Sequence, residues 1–289
     1  MYLEYFLARC RYALSSTWKV ALLSGALTLP VHADILISPQ RVIMDADNRQ
    51  ANISLHNPGK ASRAYSLSWV ERRFEKDGQQ INLKDGENPS SITSMVRFSP
   101  RRVVIEPGQT QKIRLDYRPP VDLKPGEYRS HLRIGMEPLK NGATGTEVMR
   151  GEKDGMSFRL EALMSFTLPV FVRQGTGMAS VQISAVEPST IAQNGINHPA
   201  LKVNLTRSGD FSAYGRLVVY QQLDAKAPVE EIGEAGGVAI YAEIDNIKRE
   251  VPLKPGTRLL PGSWVRLSFE GEGSEHGRVF AERAFQIGK

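Results

Sequence analysis

Cysteine is nearly missing from this chain: among 289 residues there is one, Cys10. Nothing beyond it can form a disulfide or serve as a thiol nucleophile, so the fold must be held by its core. Histidine is scarce as well, and His56, His131, His198 and His276 are spaced too widely for an H-E-x-x-H pair or any metal site built within one turn. No G-x-S-x-G marks a nucleophile elbow, and no glycine loop has the spacing that cradles a phosphate. Asp45-Ala46-Asp47-Asn48 opens like a calcium loop, but the turn glycine is absent and His56 stands where a bidentate glutamate is needed. Ser274-Glu275-His276 has no acid to orient it and reads as a hairpin loop among Gly271, Gly273 and Gly277. Like charges do not cluster: the formal net charge of +6 is dispersed, which is not the footprint of a nucleic-acid binder. These absences point away from an enzyme and from any metal or cofactor.

Long apolar runs are also lacking. The one candidate, Val20 to Val31, is too short to cross a bilayer. Preceded by Arg9, Arg11 and Lys19 and followed by Val31-His32-Ala33, it reads as the core of an export signal over residues 1–33, cleaved after Ala33. An amphipathic first helix is the competing reading. Export without membrane insertion agrees with a chain that carries no thiol past its leader.

The rest reads as strand almost throughout, which predicts an all-β fold of sandwich type. Alternating apolar runs occupy Ile35–Asp45, Asn52–His56, Arg63–Glu71, Thr93–Phe98, Arg102–Ile105, Lys112–Tyr117, Glu127–Met136 and Ser157–Val172. Turns such as Asn57-Pro58-Gly59, Glu106-Pro107-Gly108 and Lys124-Pro125-Gly126 separate them. Asn141 to Gly155, rich in glycine, threonine and charge, reads as a loop. Arg173-Gln174-Gly175-Thr176-Gly177 reads as a boundary between a domain over 34–175 and one over 176–289. The second domain shows strands at Ala179–Val186, Ala200–Leu205, Tyr214–Gln221, Ile247–Leu253, Trp264–Phe269 and Arg278–Ile287.

The run before that boundary is the most informative. From Phe158 to Val172 every even position is apolar, so Phe158, Leu160, Ala162, Met164, Phe166, Leu168, Val170 and Val172 share one face of a single long strand. Arg159 and Glu161 on the other face indicate a solvated first half. A stripe of this kind is either core or a surface awaiting a partner. The second reading is taken for Phe158 to Met164 and the first for Phe166 to Val172.

The pattern resembles the PapD-like periplasmic chaperones of chaperone–usher pilus assembly. Ile37-Ser38-Pro39-Gln40-Arg41-Val42-Ile43 is similar to the family's first strand with its arginine. Leu67-Ser68-Trp69-Val70-Glu71 is similar to its tryptophan strand. Phe98-Ser99-Pro100-Arg101-Arg102, Ile105-Glu106-Pro107-Gly108-Gln109, Lys112-Ile113-Arg114-Leu115 and Glu127-Tyr128-Arg129-Ser130-His131-Leu132 follow in order, up to Val170-Phe171-Val172-Arg173.

The resemblance implies two immunoglobulin-like β-sandwich domains at an angle with a cleft between them. It implies residence in the periplasm. It implies pilin or fimbrial subunits as partners, each completed by a strand lent from the chaperone and then delivered to an outer-membrane usher. Phe158, Leu160, Ala162 and Met164 would form the lent segment. Their burial is worth roughly 5–10 kcal/mol gross, at about 1.5–3 kcal/mol per large side chain. An exposed stripe leaves self-association through the donor strand open.

The resemblance further implies that Arg41 grips the subunit's terminal carboxylate. The family's second basic residue there falls at Pro169, so Arg97, Arg101 and Arg102 are the candidates to replace it, and the departure suggests an outlying, archaic branch. Arg173 matches a structural arginine whose acid partner would be Glu127. The alternative function is an exported immunoglobulin-like adhesin or structural pilus-associated subunit that keeps every strand for itself.

Overall fold

The computed structural model describes residues 35–75, 79–138, 146–153, 156–193, 195–224 and 226–287; for 146–153, 156–162 and 193 it describes the backbone alone. The leader at 1–33 lies outside these residues. Among the described residues, twelve strands precede residue 175: β1 (Leu36–Ser38), β2 (Val42–Met44), β3 (Gln50–His56), β4 (Arg63–Phe74), β5 (Gln80–Leu83), β6 (Val96–Ser99), β7 (Arg102–Ile105), β8 (Thr110–Tyr117), β9 (Gly126–Glu137), β10 (Thr146–Lys153), β11 (Met156–Ala162) and β12 (Ser165–Gln174). Seven follow: β13 (Ala179–Gln193), β14 (Ile196–Gly209), β15 (Ala213–Gln222), β16 (Glu230–Ile240), β17 (Asn246–Pro252), β18 (Trp264–Gly271) and β19 (Val279–Gln286). There is no α-helix among the described residues.

The first group makes one sheet in the order β1-β3-β8-β6 and another in the order β2-β12-β9-β4-β5, with β7 also on β4. Inward side chains from both sheets form one core, including Ile53, Leu55 and Ile113 from one and Tyr65, Leu132, Val170 and Val172 from the other. That is a sandwich, and the period-two alternation of each strand supplies its inner face. The second group repeats the arrangement with β13-β14-β17 facing β16-β15-β18-β19 over a core of Leu201, Val203, Leu217, Val219, Leu267, Phe269 and their neighbours. From Ile35 onward the chain forms one compact unit.

Two features depart from the sequence reading. The run Ile35–Asp45 is not one strand. β1 pairs antiparallel with β3 in the first sheet, and β2 pairs parallel with β12 in the second. The chain changes sheets at Pro39-Gln40-Arg41, where the Ser38–Pro39 peptide is cis, and this crossing places Arg41 at a sheet edge.

The run Phe158–Val172 is not one strand either. β12 pairs with β9 from Ser165 to Gln174, whereas β11 pairs with β10, and Leu163 and Met164 separate the two. The reason lies in the partner. β9 ends at Glu137 before Pro138, which has no N–H to continue the ladder, so the upstream half of the run takes a new strand. β10 occupies most of the segment read as a loop, and only 141–145 and 154–155 of that stretch lie outside the described residues.

Candidate functional site

The even face of β12 closes the first core: Leu168, Val170 and Val172 are buried and Phe166 is packed against them. The odd face carries the site. Phe171 is fully buried, and its ring belongs to the second core. Across the ladder on the same face, Phe171 stands opposite Arg129 and Pro169 opposite His131. Phe74, at the end of β4, stacks on Tyr241 of the second sandwich with centroids 4.2 Å apart, and Phe171 lies nearly parallel to Tyr241 at 6.2 Å. These rings are packed at the seam between the sandwiches, beside a crevice lined by Arg41 and Tyr214.

Arg41 enters this crevice from the β1–β2 crossing. Its guanidinium carbon lies 4.3 Å from the centre of the Phe171 ring and 4.2 Å from that of Tyr214 on β15. The Tyr241 ring centre is 5.7 Å away. Nη1 of Arg41 is buried and has no hydrogen-bond partner. Burial is the main influence on this group and pulls its pKa below the usual arginine value; Glu127, the carboxylate that acts on it, opposes the shift. Glu127 is itself committed elsewhere, as described next. A buried cation with an idle donor is costly unless something anionic completes it.

Among the described residues, the neighbouring arginines each have a carboxylate or carbonyl partner, although Arg129 Nε has none. Arg173 Nε donates to Glu127 Oε2 at 2.9 Å, its Nη1 donates to Glu275 at 2.5 Å, and its Nη2 donates to the carbonyl of Ser212. Ser212 in turn donates its amide and hydroxyl to Glu127. Arg129 reaches across to Glu243 through both terminal nitrogens, at 2.5 and 3.3 Å, and lies over the Tyr241 ring at 4.0 Å. Arg207 donates to four backbone carbonyls, those of Gly209, Phe211, Ala242 and Ile244, and so pins the loop that carries Glu243. His131 is buried with Nδ1 unpartnered. Burial, then the positive charges of Arg129, Arg72 and Arg41, push its pKa down to about 3.

The other arginines singled out from sequence lie elsewhere. Arg97 is exposed on β6 opposite Asp116. Arg101 stacks on Phe98, and Arg102 pairs with Glu137 at 2.7 Å. Glu137 is eight residues along β9 from Arg129, roughly 27 Å at the strand rise, so the structure does not bring Arg102 to Arg41. Of the proposed lent segment, Met164 is 43% exposed beside Leu163 at 50%. Phe158, Leu160 and Ala162 lie on β11, and their side chains are outside the described residues.

One edge is open. β2 covers β12 only from Val170 to Val172. Among the described residues no strand pairs with Ser165–Pro169 on that side. The uncovered stretch ends where Arg41 begins.

No family model matches the chain, and no curated protein does either. Solved structures do. The chain is similar to chaperones of pilus assembly. Against the Pseudomonas aeruginosa CupB2 chaperone it has 13% identity over 88% of this chain and 100% of that one, with a TM-score of 0.42. Against the CsuC–CsuE chaperone–tip adhesion subunit pre-assembly complex of the archaic chaperone–usher Csu pili of Acinetobacter baumannii the figures are 17%, 89%, 99% and 0.41. Against the Salmonella enterica SafA pilin in complex with the SafB chaperone they are 13%, 88%, 96% and 0.42.

Tyr214, Tyr241, Arg129 and Glu243 were not singled out from sequence. Phe171 left a trace, being apolar at an odd position of the run. Arg129 stood inside a quoted motif without a role. Tyr214, Tyr241 and Glu243 left none, because contacts between sandwiches follow no period along the chain. Among the described residues no group of three or more His, Cys, Asp or Glu side chains is placed to hold a metal.

Proposed function

We propose that this chain is an exported, non-enzymatic assembly chaperone that binds pilin or fimbrial subunits lacking a strand. It completes each with its own β edge in the periplasm and passes it to an outer-membrane usher. The observation that carries the reading is Arg41: a half-buried arginine whose Nη1 is buried and unpartnered, set at the end of an open strand edge. A strand added along Met164–Pro169 and running parallel to β12 would lie in line with β2 and point its C-terminus at Arg41. A chain-terminal carboxylate would then supply the missing anion, through charge-assisted hydrogen bonds of the kind arginine makes best. The added strand gains main-chain bonds from the edge and apolar contacts from Met164 and its upstream neighbours, the β-augmentation mode of recognition.

The pairing of β11 with β10 favours a second reading, an adhesin or structural subunit that keeps its strands for itself. Co-purification from the periplasm separates the two. A tagged pilin subunit encoded beside this chain is expected to bring down the wild type. The Leu160→Ser/Met164→Ser variant is expected to be lost from that complex by at least about tenfold while unfolding at the same denaturant concentration. Undiminished capture contradicts the chaperone reading, and a variant that unfolds early supports the second one.

A further inference from the structure

Among the described residues, Arg41 is the one arginine beside the proposed carboxylate site with no carboxylate partner. Pro169 offers neither charge nor N–H, Arg129 is held by Glu243, and Arg173 is held by Glu127 and Glu275. What surrounds Arg41 instead is aromatic. Phe171 approaches its guanidinium at 4.3 Å and Tyr214 at 4.2 Å, one ring from each sandwich. With two rings this close, the guanidinium has little room to change rotamer. Its side-chain freedom is surrendered on folding rather than on binding, which favours the bound state. Beside it opens a cavity of about 320 Å³ lined by Pro39, Gln40, Tyr214, Glu272, Gly273 and Ser274. Glu272, the acid in that lining, is turned to the amide of Gly237, which donates to its Oε2 at 3.0 Å.

We propose that Tyr214 is a positioning residue for carboxylate recognition: with Phe171 it clamps Arg41, so that one arginine receives the C-terminal carboxylate of an extended peptide without a second cation. The proposal rests on the reading of Arg41 as the anchor. It also gives the second sandwich a part in binding, since β15 supplies half of the clamp. Pro169 is then no defect, because preorganisation takes over what a second charge would provide. The ring matters through its π face, which attracts a desolvated cation, and not through its hydroxyl.

The test uses the full chain and two labelled peptides of alternating valine and threonine, alike except that one ends in a free carboxylate and the other in an amide. Fluorescence anisotropy reads both affinities. The wild type is expected to prefer the acid by about tenfold or more. Tyr214→Ala, and Tyr214→Leu with its bulk retained, should lower that preference to about threefold or less with the amide peptide bound as before. Tyr214→Phe should keep it. If the wild type shows no preference, the anchor reading fails and the clamp with it. If the wild type discriminates and Tyr214→Leu discriminates equally, the clamp alone is overturned. Acetate, added against chloride at equal ionic strength, should leave the preference intact; its abolition would overturn the assignment to a chain terminus in favour of a small free carboxylate.

Discussion

At the scale of single residues the crevice concentrates unusual polar groups. Arg41 Nη1, Arg129 Nε and His131 Nδ1 are all buried without partners. For His131 the consequence can be measured. Unfolded, it titrates near 6.5; folded, burial and the three neighbouring arginines hold it near 3. Between those values protons bind the unfolded chain and not the native one, so acid favours unfolding. The stability is fully present above about pH 6.5 and falls by about 1.4 kcal/mol for each pH unit below it. Denaturant unfolding should therefore show a loss of about 2 kcal/mol between pH 7 and pH 5, above the range where carboxylates titrate. His131→Leu should flatten that slope. A wild-type stability that does not change over this interval would contradict the assignment.

At the scale of elements, strand positions were largely legible because alternation survives in β3, β4, β8, β9 and β18. What escaped did so for physical reasons. β10 reads Thr-Glu-Val-Met-Arg-Gly-Glu-Lys, too polar to show an inner face. β16 contains Gly233, Gly236 and Gly237, which resemble turn residues. The break at Leu163–Met164 leaves no mark, since the even-position pattern passes through it; the interruption belongs to the partner strand at Pro138. In the candidate site, Arg41 was singled out only through the family resemblance, whereas its neighbour Tyr214 was not, because the two meet only through tertiary folding.

The two ends of the old stripe also differ in what they support. Leu168 is buried in the first core and Met164 is half exposed. Leu168→Ala should cost about 2–5 kcal/mol, against less than about 0.5 kcal/mol for Met164→Ala, in urea unfolding of the free protein. Equal losses would place Met164 in the core and remove it from the binding edge.

At the scale of the whole molecule, the two sandwiches are joined by the Arg173–Glu127–Glu275–Ser212 cluster, by Arg129–Glu243 and by the Phe74–Tyr241 stack. Buried ion pairs of this sort add little net stability, but breaking one leaves a charge stranded, so they serve to fix one arrangement. That arrangement is what sets Tyr214 against Arg41 and aims Arg41 at the open end of β12. Under the proposed function, the joint, the edge and Arg41 would act together to hold a strand that arrives from elsewhere. Amide hydrogen exchange tests this most directly, comparing the free chain with its complex with the co-purified pilin subunit. Amides from Met156 to Leu168 should exchange more slowly in the complex, with the change ending at β2. Exchange in this segment that is the same with and without the subunit would contradict the loan of this edge.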